Sequence, residues 1–324
     1  MNKYSLESLG IVESGKLAPG RVALANEGAF NAAFLSQPLT DYAIGWKTED
    51  NKLEELLEFI APGVRVPRKF EYRVGNNADA FAAVADGSDV RSLYGEYKLV
   101  KTTAGNTNGK TVSKGLSTVL ERDEEREVPN AREGKVAWLK RLLLRAEVIR
   151  AVSLLNTAAT NSAKTWTGTN GSMPDTDLMA AIDAFGDAVG IDANRVLLGS
   201  SAWTKRIGAY ASKEAKNFVP PATLQGLADF LGVEKVVKSS ERYTTGTGKS
   251  KLVTADCAFI FMGMAGATSE DPSTLKRFWT PKEGGEWVVY VDEKYSDELI
   301  KITVAHTSQI ALTCSTGVQK LTIS

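Results

Sequence analysis

Histidine and cysteine are almost missing from this chain. The one histidine is His306, and the two cysteines are Cys257 and Cys314. One histidine and two distant cysteines leave no recognisable zinc site, and two cysteines are too few for a disulfide framework. Both cysteines sit in apolar, strand-like runs and read as buried free thiols, with a disulfide between them as the sharper alternative. A serine triad would need His306 as its base. Nothing in the sequence places it near a candidate serine, so it reads as structural. Charge of one sign is missing too: Lys plus Arg and Asp plus Glu number 39 each. A protein whose main task is gripping nucleic acid shows a basic excess or a basic stripe, and neither is evident. Near-zero net charge does little to oppose self-association. No stretch has the apolar length of a transmembrane helix, and the N-terminus lacks the apolar segment of a signal peptide. The glycosylation pattern at Asn170-Gly171-Ser172 is then chance. The expectation is a protein of a soluble, reducing compartment with no cofactor and no metal.

Complete catalytic motifs are also wanting. Gly246-Thr247-Gly248-Lys249-Ser250 resembles the end of a phosphate-binding loop, but Tyr243 stands where that motif needs its first glycine. The next residues, Lys251-Leu252-Val253, look like strand rather than the helix the phosphate requires. A turn between two strands is expected. Gly199-Ser200-Ser201 sits at a strand-to-helix turn without the second glycine of a hydrolase elbow, and a serine N-cap is the better reading. Carboxylates are plentiful, but none is singled out as one of a glycosidase pair.

What is present is a chain of 324 residues, long enough for two core-bearing units. From Arg132 to Lys164 there is one glycine, Gly134, and no proline. Apolar residues recur there at helical spacing through Leu139, Leu142, Ala146, Ile149, Val152 or Leu155, and Ala159. This predicts an amphipathic spine helix of roughly 45 Å. Before it, Lys69 to Glu121 reads as a polar, glycine-dotted arm with little core-forming sequence. Within that arm, 96–103 and 111–119 are strand-like, with Asn106-Thr107-Asn108-Gly109 as the turn. The acidic run Glu121 to Glu127 is either a solvated face or a docking patch for basic residues of another subunit. Residues 1–50 look extended, and Lys52–Ile60 is a short amphipathic helix stopped by Pro62-Gly63. After the spine come helices at 174–189, 201–210 and 223–231, with strands at 195–199 and 233–238. Strands dominate the end, at 258–262, 286–291, 299–304, 309–313 and 318–323. Six tryptophans are spread along the chain (46, 138, 166, 203, 279, 287), as suits cores and interfaces. An arm that cannot bury itself, joined to a spine helix, suggests a chain built to bind copies of itself.

The order of these parts resembles the major capsid protein of tailed bacteriophages, the Hong Kong 97 fold. The phrases that carry the likeness are LERDEEREVPNAREGKVAWLKRLLLRAEVIRAVSLLN at 120–156 and DANRVLLGSSAWTKR at 192–206. ATLQGLADFLGVEKVVKSSERY at 222–243 and EWVVYVDEKYSDELIKITVAHTSQIALT at 286–313 complete it. The resemblance implies an α+β fold. It divides the chain into an N-terminal arm (1–50), the start of a peripheral domain (51–68) and an extended β-hairpin loop (69–118). The peripheral domain with its spine helix (119–170), an axial domain (171–274) and returning C-terminal strands (275–324) complete the chain.

It also implies a structural head protein rather than an enzyme. Such subunits form homo-hexamers and homo-pentamers that tile an icosahedral shell, first a procapsid and then the virion, around double-stranded DNA bound without sequence specificity. Assembly takes place in the host bacterial cytoplasm, away from any membrane. With only about 50 residues before the first helix, a separate scaffolding protein, or none, is implied; a portal and, as an option, a decoration protein are the other partners. The expected inter-subunit contacts are Lys98, Lys101, Lys110, Lys114, Glu121, Glu124 and Glu125. Some members weld subunits through a lysine–asparagine bond, but no asparagine follows Asn217 here. An encapsulin-like compartment holding enzyme cargo and a soluble hydrolase using Ser201 or a carboxylate pair are the alternative readings. Shell size, host and maturation steps are not written in the sequence.

Overall fold

The computed structural model describes residues 12–13, 16–17, 34–46, 52–74, 89–91, 93, 95–97, 105–167, 173–211, 221–245, 248–264, 266–268, 271–282 and 285–324. Along the chain these form β1 (Val12–Glu13), β2 (Lys16–Leu17), α1 (Gln37–Gly45), α2 (Lys52–Ile60), β3 (Gly63–Arg65), β4 (Lys69–Arg73), β5 (Asn106–Lys110) and β6 (Val112–Glu121). Next are α3 (Arg122–Glu127), α4 (Ala131–Ala158), β7 (Thr160–Lys164), α5 (Pro174–Val189), β8 (Arg195–Gly199), α6 (Ser200–Ala211), α7 (Leu224–Leu231) and β9 (Lys235–Ser239). The remainder is strand: β10 (Arg242–Thr245), β11 (Gly248–Lys251), β12 (Cys257–Phe261), β13 (Leu275–Trp279), β14 (Trp287–Asp292), β15 (Leu299–Leu312) and β16 (Gln319–Ile323).

The chain separates into two compact units. The first comprises Met1–Trp46, Gly115–Lys140 and Lys282–His306. Its centre is the antiparallel pair of β14 with the first part of β15, registered from Trp287↔His306 to Asp292↔Lys301. Val288, Tyr290 and Ala305 are buried there, with Phe34 and Leu35 packed on them. The backbone of β14 is satisfied by the segment around α1. Ser36 N–H donates to the Val289 carbonyl at 3.1 Å, and Val289 N–H donates to Thr40 Oγ1 at 3.1 Å. A helix carrying a fully buried threonine thus closes an edge that would otherwise invite another strand. The extended reading of residues 1–50 is therefore wrong for 37–45, where Pro38 opens a helix.

The second unit comprises Lys47–Lys114, Arg141–Pro281 and Thr307–Ser324. Its five-stranded mixed sheet has the order β7-β16-β12-β8-β9. Two of its inner strands, β8 and β12, are buried at every position. Strands buried on both faces read as continuous apolar runs, and RVLLG and CAFIF are such runs. Leu178, Ile182, Phe185 and Val189 of α5, with Leu227, Ala228 and Leu231 of α7, pack in the same core. Cys314 lies there too, and both cysteines are free thiols. A second part of this unit pairs β13 with β3 in parallel and with Ser308–Leu312 of β15 in antiparallel fashion. Its small core holds Val64, Val66, Phe70, Phe278 and Ala311.

Several sequence expectations need correction. The spine helix α4 ends at Ala158 instead of continuing to Lys164, so it is about 42 Å long. Thr157 folds its hydroxyl back onto the Ser153 carbonyl at 2.9 Å, and the polar run Thr160-Asn161-Ser162 pairs in parallel with β16. Local side-chain bonds of this kind compete with helix propagation. The buried line of α4 runs through Val136, Leu139, Leu143, Val148, Ala151 and Leu155, while Leu142, Ala146 and Ile149 lie beside it, each half-buried. Asn106–Lys110 is not a turn. It is a strand paired with Lys69–Arg73, from Lys69↔Lys110 to Arg73↔Asn106. The base of the expected loop therefore contributes to a core through Phe70, against the expectation of a segment with little to bury. Strand β13 lies outside every expected element, and the two strands expected at 299–304 and 309–313 are one, β15.

Candidate functional site

The root of the hairpin β4–β5 is fastened at Thr111, which is fully buried. Its Oγ1 lies 2.7 Å from Thr280 Oγ1, and its N–H donates to the Arg68 carbonyl at 3.0 Å. Just before it, exposed Lys110 has its backbone N–H on Gln309 Oε1 at 3.0 Å. Just after it, the Lys114 ammonium donates to Glu147 Oε1 at 2.7 Å and to Ser308 Oγ at 3.1 Å. Glu147 also accepts from Arg150 Nη1 at 2.5 Å and from Ser308 Oγ at 3.2 Å. Burial pushes the Lys114 ammonium below its ordinary value, against the pull of Glu147, and Arg150 and Arg277 add to the fall.

A second cluster, in the first unit, is built on the acidic run. Glu121 is exposed at the end of β6 and contributes no side-chain cap to α3. Arg122 donates to the backbone carbonyls of Asp297 at 3.0 Å and Glu293 at 2.8 Å. Glu124 pairs with Lys135 at 2.8 Å, and Glu125 with Arg132 at 2.5 Å. Arg132 in turn reaches Glu293 at 3.0 Å. Asn130, with φ of 58°, takes the left-handed conformation that lets α3 turn back into α4. The run is thus neither simply solvated nor left wholly for a neighbour. Glu124 and Glu125 clamp the run to the start of α4, and Arg122 and Arg132 tie it to the loop 293–298. Asp123 stays exposed, paired with Arg126 at i,i+3.

Of the expected contact residues, Glu124 and Glu125 come together in this clamp, Lys114 joins Glu147, and Lys110 and Glu121 stand apart. Lys98 and Lys101 lie outside the described residues. Sequence reasoning missed Glu147, Arg132, Lys135 and Ser308. A signal for Glu147 existed: it is the one carboxylate among Leu143, Leu144, Val148 and Ala151 on the buried face of α4, and only 1% of its side chain is exposed.

The other motifs resolve into structure. Gly248–Lys251 is a strand paired with Arg242–Thr245, so strand begins at Gly248 rather than after Ser250 as expected, and Gly246 and Thr247 lie outside the described residues. The expected serine N-cap is absent. Ser200 is the first residue of α6, and the Ala202 N–H is satisfied by the Ala255 carbonyl at 2.9 Å. Ser200 Oγ accepts from Lys251 at 2.5 Å instead. Gly199 is required because a Cβ would strike the Thr254 and Ala255 carbonyls. His306 is buried, and its ring packs at a 56° tilt against Trp287 with centroids 4.5 Å apart. Among the described residues no group of three or more His, Cys, Asp or Glu is arranged to hold a metal, and no helix is long and apolar enough to cross a membrane.

Between the hairpin strands, Val90, Leu93 and Tyr97 are 75%, 83% and 75% exposed.

No protein-family model matches the chain, and no curated protein does. Solved structures do match in fold. A phage-related protein from Bordetella bronchiseptica, 15% identical, aligns over 89% of this chain and 96% of its own with a TM-score of 0.64. A putative capsid protein of an E. coli prophage, 9% identical, aligns over 90% of this chain and 99% of its own with a TM-score of 0.51. The fold is the α+β, Hong Kong 97-like capsid fold.

Proposed function

We propose that this chain is the major capsid protein of a tailed bacteriophage, assembling as hexamers and pentamers into an icosahedral head around double-stranded DNA. The observation that carries this reading is the whole-length correspondence of fold, 90% of this chain with 99% of the prophage capsid protein. Its role is structural and its first partner is itself. Heterologous contacts between copies close into rings of five or six when the rotation closes, and repeated modest contacts make a durable shell through multivalency. The exposed apolar residues of the loop and the exposed acids Glu121 and Asp123 are the contact groups offered to neighbours, with Lys110 a further one. A scaffolding protein and a portal complete the assembly, which takes place in the host cytoplasm and ends in the virion.

The test is to express the chain with its scaffold and treat the high-mass fraction with nuclease. Protected double-stranded DNA inside particles formed during infection supports the reading. Particles that hold a co-purifying protein and no DNA would replace it with a cargo compartment, and a monomer at micromolar concentration would remove it.

A further inference from the structure

We infer that the Lys114–Glu147 contact is a releasable latch on the root of the extended loop, built so that Lys114 can leave without stranding a buried charge. Around the pair of Lys114 from β6 and Glu147 from α4 are Arg150 from α4 itself, Arg277 from β13 and the hydroxyl of Ser308 from β15. Two of these cations, Lys114 and Arg150, bond the single carboxylate of Glu147, and Arg277 adds a third positive charge felt by Lys114.

Removing one partner of a buried ion pair is costly mainly because the other charge is left uncompensated. Here that consequence is avoided. If Lys114 swings out, Glu147 still accepts from Arg150 at 2.5 Å and from Ser308 at 3.2 Å. Lys114 for its part recovers hydration and escapes two like charges. Its side chain is already 19% exposed, against 1% for Glu147, so the path to water is short. Both positions of the lysine are therefore chemically satisfied, and the first residues of β6 have a docked and a free state.

Thr111 sets the limit of the motion. Its buried bonds to Thr280 and Arg68 do not involve the latch. Release therefore loosens Val112 to Lys114, between that anchor and the rest of β6, and leaves the hairpin base in place. A loop root with this property lets the strand re-aim without unfolding the core that holds it. The inference concerns the subunit alone and does not depend on the assembly reading.

The test uses three full-length variants: Lys114→Gln, Glu147→Gln and the double. Lys114→Gln is expected to raise amide hydrogen exchange in a peptide spanning 112–117 by about tenfold, a local opening. Its melting midpoint should stay within about 2 °C of the unmodified chain, at most about 1.4 kcal/mol at this size. Glu147→Gln leaves Lys114 and Arg150 without their carboxylate and should lower the midpoint several times further, with the double variant recovering part of the loss. The latch is overturned if Lys114→Gln leaves exchange at 112–117 unchanged, or if it lowers the midpoint as much as Glu147→Gln. Should Glu147→Gln fail to fold, the exchange and midpoint of Lys114→Gln still decide the matter.

Discussion

Gly109 shows how a residue can point the wrong way in sequence and still have a clear physical reason. Asn-Gly is the strongest short turn signal, yet here the glycine sits inside strand β5, directly opposite Phe70. The Phe70 ring lies over its backbone. A Cβ at this position would come within 2.7 Å of Phe70 Cε2 and closer still to Cζ. Gly109→Ala should therefore destabilise the subunit by about 1–3 kcal/mol through overpacking, seen as a lower midpoint in thermal denaturation. An unchanged midpoint would mean that the ring moves aside freely. Asp271 carries a pH signature. Burial alone would raise its carboxyl, but bonds from Ser273, the Lys276 ammonium and the Thr268 N–H outweigh burial and hold it below its ordinary value. Its stabilising contribution is then complete above the unfolded value of about 3.9 and is lost as pH falls through the lower folded value. Asp271→Asn should be less stable at neutral pH and show a flatter acid limb below about pH 4. A variant whose acid limb runs parallel to that of the unmodified chain would contradict this assignment.

At the scale of elements, legibility depends on how local the determining interactions are. Helix α2 has the span the sequence implies because KLEELLEFI is amphipathic and Pro62-Gly63 lies just beyond it. Helix α5 begins at Pro174, and α7 ends at Gly232, whose φ of 70° is the left-handed cap. The buried face of α4 is harder to read. Lys140 and Glu147 lie on it, each held by a partner distant in sequence: the Trp46 carbonyl at 2.5 Å for Lys140, and Lys114 for Glu147. Strand β13, LKRFW, alternates poorly because Lys276 is itself fully buried against Asp271. The residues proposed to meet other subunits are the least legible, since their use would depend on a second copy. The hairpin yields an element-scale prediction. Val74 N–H meets the Gly105 carbonyl at 3.2 Å, so residues 75–104 can be replaced by a two-residue turn without moving β4 or β5. The shortened subunit should melt like the parent but fail to form stable shells in electron micrographs. If it unfolds instead, the segment belongs to the core.

For the whole molecule, the fold and the sequence together bear on how a shell would be held. Covalent welding needs a lysine amine, a carboxamide acceptor and a carboxylate placed to move protons. Lys114 is engaged with Glu147, and residues 218–324 contain no asparagine. Gln309 and Gln319 carry the amide one methylene further out, and Gln309 already accepts from the Lys110 N–H. A displacement of about 1 Å can cost roughly a hundredfold in rate. Mature shells boiled in denaturing detergent should therefore run as a single band near 34.9 kDa. A ladder that survives reducing agent would show that another acceptor is used. The most direct measurement of the central claim is electron microscopy of the purified full-length chain assembled with its scaffold. Closed, icosahedral shells with five-fold vertices and six-fold faces are the expected result; a field of monomers, or of open aggregates without symmetry, would contradict the account.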